Sequence, residues 1–77
     1  MKTERLLESV GEEVRKLRKE LGISQELLAE KTDLHRNAIG RLERGSLNPT
    51  FSTLKSVADE LNTSLSNLIG AAERRIR

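Results

Sequence analysis

The side chains with the most distinctive chemistry lie in the stretch 36–44, RNAIGRLER. An α-helix turns by roughly 100° per residue, so five of these positions fall within an arc of roughly 140°: Arg36, Asn37, Gly40, Arg41 and Arg44. Ala38, Ile39 and Leu42 point the other way and would anchor the helix on a core. Guanidinium and amide groups on a narrow helix suit the major groove of DNA, where Arg pairs with guanine and Asn with adenine. The simpler alternative, for a helix on its own, is an ordinary solvated face.

The segment before this helix favours the DNA-binding interpretation, because it predicts a second short helix joined to the first by a tight turn. Ser24 is a good N-cap for a helix over about 24–31, and Glu26 lies in its first turn, where the helix dipole favours a carboxylate. The residues 32–35 must then turn sharply, and Asp33 tolerates the left-handed backbone that such a turn needs. Gly45 ends the helix that carries the arginines. We take 24–45 as the functional core of the chain.

Amphipathic periodicity predicts three further helices. Ser9 and Glu12 fit a capping box that begins a first helix, and Gly22 suits its C-terminal end. Leu6 and Leu7 either extend this helix backwards or form a loose arm. Its expected core-facing residues are Val10, Val14, Leu17 and Leu21.

Two more helices follow the only proline, Pro49. Thr50 is the expected N-cap of one and Ser64 that of the other. The apolar residues of the first are Phe51, Leu54, Val57, Ala58 and Leu61, and those of the second are Leu65, Leu68, Ile69, Ala72 and Ile76. No segment alternates with period two, so we expect an all-α protein with five helices in a single domain, 1–77.

Composition excludes several classes of protein. A chain of 77 residues without cysteine has neither disulfides nor thiolate metal sites. Phe51 is the only aromatic residue, so there is no stacking platform for single-stranded nucleic acid. The apolar runs are too short to span a membrane, and the N-terminus is too charged for a secretory signal. We therefore expect a soluble cytoplasmic protein with no membrane partner.

The net charge of +2 is unevenly distributed. Residues 1–32 carry seven basic and seven acidic side chains, whereas 33–77 carry seven basic and five acidic. The excess therefore comes from the proposed DNA-reading helix and from the tail, which contains Arg74, Arg75 and Arg77. This distribution is compatible with a polyanionic partner.

The chain resembles a known family over about 10–69. The segments that carry the resemblance are VRKLRKELGISQELLAEKT and NAIGRLERGSLNPTFSTLKSVADELNTSLSNLI, with Gln25, Ala29, Ile39, Leu42, Glu43 and Gly45 at pattern positions. They resemble the phage repressor/Cro-like (XRE-type) helix-turn-helix family, and the length suits small regulators such as restriction–modification controller proteins. The resemblance implies a compact lambda-repressor-like fold and sequence-specific binding to double-stranded DNA.

The resemblance also implies residue roles. Arg36, Asn37 and Arg41 would read bases, and Arg18 and Glu43 would tie the first helix to the third. Independently of the resemblance, a glycine inside a helix is costly, and we expect Gly40 to let the helix approach the base edges closely. Gln25 would bind a phosphate and brace the reading helix. The other expected phosphate contacts are Ser24, His35, Arg44, Asn48 and Thr50. Two positions depart from the family pattern: Asp33 replaces a usual Gly, and His35 replaces a usual Ser or Thr, so His35 is either a phosphate donor or a half-exposed surface residue.

A single reading helix covers only a few base pairs, and family members mostly form two-fold dimers on palindromic operators. We expect the helix at 64–76 to supply the dimer interface through Leu65, Leu68, Ile69 and Ala72, because we expect four helices to close the core and leave this stripe exposed. The alternative is that the stripe packs within its own chain.

Other functions fit the residues less well. One histidine, no cysteine and no phosphate-binding glycine loop argue against an enzyme, and we expect no cofactor, metal ion or small-molecule substrate. A protein-docking module with this fold would more often show an exposed apolar patch. An antitoxin would bind DNA and also a toxin, which usually needs a further segment.

Overall fold

The computed structural model describes residues 3–77, which form five α-helices. These are α1 (Thr3–Glu20), α2 (Gln25–Thr32), α3 (Arg36–Arg44), α4 (Phe51–Glu60) and α5 (Leu65–Arg75). Met1 and Lys2, which the predicted domain includes, lie outside the described residues. No β-strand occurs between residues 3 and 77, and the predicted all-α fold with five helices is confirmed.

Three of the predicted N-caps are confirmed. The hydroxyl oxygens of Ser24, Thr50 and Ser64 each accept a hydrogen bond from the backbone N–H three residues later, at 3.0–3.1 Å. Each bond satisfies a donor that the first helical turn leaves without a partner. The predicted left-handed backbone of Asp33 is confirmed, with φ at 60°. Gly45 ends α3 as predicted, with φ at 77°.

The predicted start of α1 is wrong. Ser9 is not an N-cap but a buried mid-helix residue, and its hydroxyl donates to the carbonyl oxygen of Ala72 at 2.6 Å. The helix begins at Thr3 and continues through Gly11, so Leu6 and Leu7 belong to it. Gly11 lies where α1 crosses α3: a Cβ there would come within 2.3 Å of the Leu42 carbonyl oxygen. This glycine is therefore required by packing and does not break the helix.

Two residues of the predicted apolar stripes are exposed. Leu21 follows the end of α1 and is 43% exposed, and Phe51 at the start of α4 is 81% exposed. Both are terminal positions, where a periodic pattern continues in the sequence but the helix no longer faces its neighbours. The buried apolar residues are Val10, Val14, Leu28, Ala29, Ile39, Leu42, Leu54, Val57, Ala58, Leu61, Leu68 and Ala72.

The fifth helix is part of this core. Leu68 is 1% exposed and Ala72 is fully buried, so neither has surface left for a second chain. The expectation that four helices close the core is therefore wrong, and the predicted dimer contact through these two residues is corrected. The helix packs on α1, where Arg75 donates to the buried Glu13 carboxylate at 2.9 and 3.1 Å. Only Leu65 and Ile69 of the proposed four remain partly exposed.

Candidate nucleic-acid interface

The exposed face of α3 and the start of α2 form a shallow concave surface. Its volume is about 470 Å³, and its lining residues are Gln25, Arg36, Asn37, Gly40, Arg41 and Arg44. Behind it, Ile39 and Leu42 are buried in the core. The fold thus brings all four predicted base-reading positions together with two of the predicted phosphate contacts. Three guanidinium groups and no carboxylate line this surface, so it suits a polyanion.

A buried polar network ties α1 to the two helices that form this surface. Arg18 donates to both carboxylate oxygens of Glu43, from Nε at 2.6 Å and from Nη2 at 3.1 Å. Its Nη1 donates to the Ile23 carbonyl oxygen at 2.9 Å. The hydrogen bond to Glu43 raises the pKa of Arg18 above its ordinary value and outweighs the opposing effect of burial. The planar fork of Arg matches a carboxylate in two places, which fixes orientation as well as distance.

Gln25 connects this network to the concave surface. Its Nε2 donates to Glu43 Oε1 at 3.0 Å, which holds the side chain against α3. Its Oε1 then lies beside Gly40, where an added Cβ would be 3.8 Å away. The bracing geometry that the resemblance implied for Gln25 is therefore present, with the first turn of α2 beside the arginines of α3.

The other predicted phosphate contacts lie at helix ends and in the loop after α3. Ser24 and His35 immediately precede α2 and α3, and His35 makes no side-chain cap hydrogen bond. Asn48 is exposed in the loop, and Thr50 caps α4 while donating to Thr53 Oγ1 at 3.0 Å. All four are exposed, and their contacts with phosphate stay predictions.

Two contacts that the sequence did not indicate orient the arginines. Glu26 Oε2 lies 3.7 Å from Arg36 Nε, and both side chains are mostly exposed. Arg41 donates from Nη2 to the carbonyl oxygen of Ser46 at 3.2 Å, and the Ser46 hydroxyl donates back to the Arg41 carbonyl oxygen at 3.3 Å. The first contact joins two different helices, so no local pattern reveals it. The second contact spans five residues across the C-terminal end of α3.

Residues 3–77 contain no group of three His, Cys, Asp or Glu side chains that could hold a metal ion. Within the same residues, no helix combines the length and the apolar character needed to cross a membrane.

Comparison with known proteins places the fold and the concave surface in context. Residues 14–68 match the helix-turn-helix family. Over 62 residues, which are 80% of its length, the chain is 47% identical to control protein C.SmaI of Serratia marcescens. The match covers 74% of that protein. The chain is also 39% identical, over 62 residues, to the immunity repressor protein of Bacillus phage phi105. It spans only 43% of the length of that repressor. The crystal structure of the restriction-modification controller protein C.AhdI from Aeromonas hydrophila superposes with a TM-score of 0.78 at 34% identity, covering 80% of this chain and 94% of that one.

Proposed function

Since the chain belongs to the helix-turn-helix family of regulatory DNA-binding proteins, we propose that it is a transcriptional regulator that reads the major groove of double-stranded DNA with α3. One observation carries this proposal. Three guanidinium groups and an amide surround Gly40 on the exposed face of a helix whose other face is buried. A helix held in this way presents its polar side chains in a fixed register, which base reading requires.

The roles proposed for the side chains follow from their donors and acceptors. Arg36 and Arg41 each present a fork that can pair with O6 and N7 of guanine, and the amide of Asn37 can pair with N6 and N7 of adenine. Gly40 has no side chain to keep the helix from the base edges. Gln25 and Arg44 flank this group and would contact phosphates, which position the protein without specifying sequence.

Binding as a dimer is part of the proposal. A nine-residue α3 reaches only a few base pairs, and two copies related by a two-fold axis would read a palindrome with half-site centres about 34 Å apart. Leu68 and Ala72 are buried in the core, so of the four α5 residues expected at this contact only Leu65 and Ile69 remain partly exposed for it.

The test is a selection of genomic fragments with the purified protein, followed by binding measurements on alanine variants. Arg36→Ala or Arg41→Ala should cost about 1–3 kcal/mol on the selected site and relax the preference at one base pair per half-site. Gln25→Ala should weaken binding to all sequences alike. Arg15→Ala, which removes an exposed guanidinium from α1, is the matched control and should leave the preferred sequence unchanged.

The assignment of α3 as the reading helix is wrong if Arg36→Ala, Asn37→Ala and Arg41→Ala all retain the wild-type sequence preference.

A further inference from the structure

Arg36 lies between two depressions of the protein surface. It lines the concave surface described above, and it also lines a second, shallower hollow of about 300 Å³ together with Glu26, Glu30 and His35. In the structure its guanidinium contacts the acidic side, because Nε lies 3.7 Å from Glu26 Oε2. One side chain thus borders both the proposed DNA-reading face and a carboxylate of α2.

The contact with Glu26 is compatible with base reading by Arg36. The carboxylate approaches most closely at Nε, the guanidinium nitrogen nearest the backbone. Guanine offers two acceptors, O6 and N7, which the two terminal nitrogens of an arginine can meet together. The side chain of Arg36 is 65% exposed, so a base can reach those nitrogens. Glu26 and a guanine can therefore contact Arg36 at the same time.

The other arginines of the concave surface have different neighbours. Arg41 donates to a neutral backbone oxygen, that of Ser46, and Arg44 Nη1 lies over Gly40. Among the described residues, Arg36 is the one arginine of this surface that pairs with a carboxylate. A carboxylate beside such a surface weakens binding to any DNA, because it repels phosphates. What it supplies in return is a fixed direction for one guanidinium.

Glu26 is well placed to fix that direction, because the start of α2 is anchored. The Ser24 hydroxyl caps the helix by accepting from the backbone N–H of Leu27 at 3.0 Å, and the adjacent Gln25 donates to Glu43 at 3.0 Å. The helix dipole also favours a carboxylate in this first turn. Glu26 therefore projects from a rigid element, as a group that positions another side chain must.

We propose that Glu26 is a specificity-determining residue: by pairing with Nε, it directs the terminal nitrogens of Arg36 to a single guanine. This inference rests on the DNA reading proposed above and names a residue that acts through one of its base-reading side chains. In the free protein the pair is exposed and contributes little. When α3 enters the groove, water no longer screens the two charges, so the pair holds Arg36 more firmly in the complex.

The proposal predicts what happens when the pair is lost. An unpaired Arg36 can turn to the nearest phosphate, and phosphate contacts carry no sequence information. Loss of the carboxylate should therefore weaken the choice of base at one position of the half-site while strengthening binding to all sequences. A merely structural role for Glu26 would change neither property at a single position.

The experiment uses the site recovered by the genomic selection and measures competition by sites altered one base pair at a time. Arg36→Ala and Arg41→Ala first identify the position that each arginine reads. Glu26→Gln should then lower the preference for guanine at the Arg36 position by roughly threefold to tenfold, a part of the roughly 5- to 150-fold that one bidentate contact supplies. The preference at the Arg41 position should not change, because Arg41 is held by Ser46.

Two matched variants separate direction from charge. Glu30→Gln removes an equal charge from α2 and should strengthen binding to all DNA without changing the preference for guanine. Glu26→Asp keeps the charge but withdraws the carboxylate by one methylene group, and the wild-type contact is already 3.7 Å long. This variant should lose preference at the Arg36 position while its affinity for unrelated DNA stays at the wild-type value.

A double-mutant cycle closes the test, because Glu26→Gln should change no base preference once Arg36 is replaced by alanine. The assignment is overturned if Glu26→Gln and Glu30→Gln shift the guanine preference equally, or if Glu26→Gln acts alike with and without Arg36. Failure of the DNA-reading proposal looks different. A wild-type protein that selects no sequence overturns both proposals, whereas a selected site whose Arg36 position ignores Glu26 overturns this one alone.

Discussion

Two ion pairs in this protein share a closest N–O distance of 2.6 Å but differ in burial. The side chains of Arg18 and Glu43 are 10% and 4% exposed, whereas those of Lys55 and Asp59 are 60% and 54% exposed. Water screens the second pair, so Asp59→Ala should cost only about 0.3–0.5 kcal/mol. Glu43→Ala leaves a buried guanidinium without its partner and should cost about 3–5 kcal/mol. The predicted loss of stability is thus about ten times larger for Glu43→Ala than for Asp59→Ala.

The larger figure follows from the groups that Glu43 satisfies. Its carboxylate accepts from Nε and Nη2 of Arg18 and from Nε2 of Gln25, at distances of 2.6–3.1 Å. At 0.05–0.15 kcal/mol per residue, a chain of 77 residues has a total stability of about 4–12 kcal/mol. Glu43→Ala therefore removes a large fraction of it, and the unfolding midpoint should fall by roughly 12 °C or more.

Urea unfolding followed by circular dichroism measures these values, and a double-mutant cycle tests their cause. Arg18→Met combined with Glu43→Leu replaces the pair by apolar side chains and should cost less than Glu43→Ala alone, since no charge is left buried. Part of the cost remains, because Arg18 also satisfies the Ile23 carbonyl oxygen. The reasoning is refuted if Glu43→Ala and Asp59→Ala cost the same, or if the two substitutions at the buried pair are additive.

Three further substitutions test individual contacts. Gly40→Ala should raise the unfolding midpoint, because Gly in a helix costs about 1 kcal/mol and the one tight contact of the new Cβ is with the movable Arg44 Nη1, at 3.2 Å. Operator binding should be equal or weaker, and tighter binding would contradict the close-approach role. Glu26→Gln should tighten binding to all DNA but reduce base discrimination by Arg36. Glu30→Gln removes an equal charge from the same helix and should leave base discrimination intact, so equal effects of the two variants in competition assays would show that Glu26 acts only through net charge. Asp33→Gly should raise the free energy of unfolding by up to about 1 kcal/mol, because φ is 60° there, and a loss in urea unfolding would show that the aspartate side chain stabilises the turn.

Helix ends and the polar face of α3 could be predicted from the sequence because their causes are local. Ser24, Thr50 and Ser64 each cap a helix through a hydrogen bond to a backbone group three residues later. The left-handed residues that end helices, such as Gly45, are determined by the cost of a Cβ at positive φ. The grouping of the arginines around Gly40 follows from helical geometry alone.

Features decided by long-range packing could not be predicted in this way. The sequence around Ser9 fits a cap, but Ser9 lies inside α1 and its hydroxyl donates to Ala72, 63 residues away. Only the docking of α5 on α1 supplies that partner. The same docking turned Leu68 from an expected interface residue into a core residue, because periodicity shows that a stripe is apolar and not what covers it. Phe51 shows the converse: it continues the apolar pattern of α4, but 81% of it is exposed. Local hydrogen bonding and helical geometry were thus determined by the sequence itself, whereas the tertiary structure decided which apolar faces are buried and which remain for a partner.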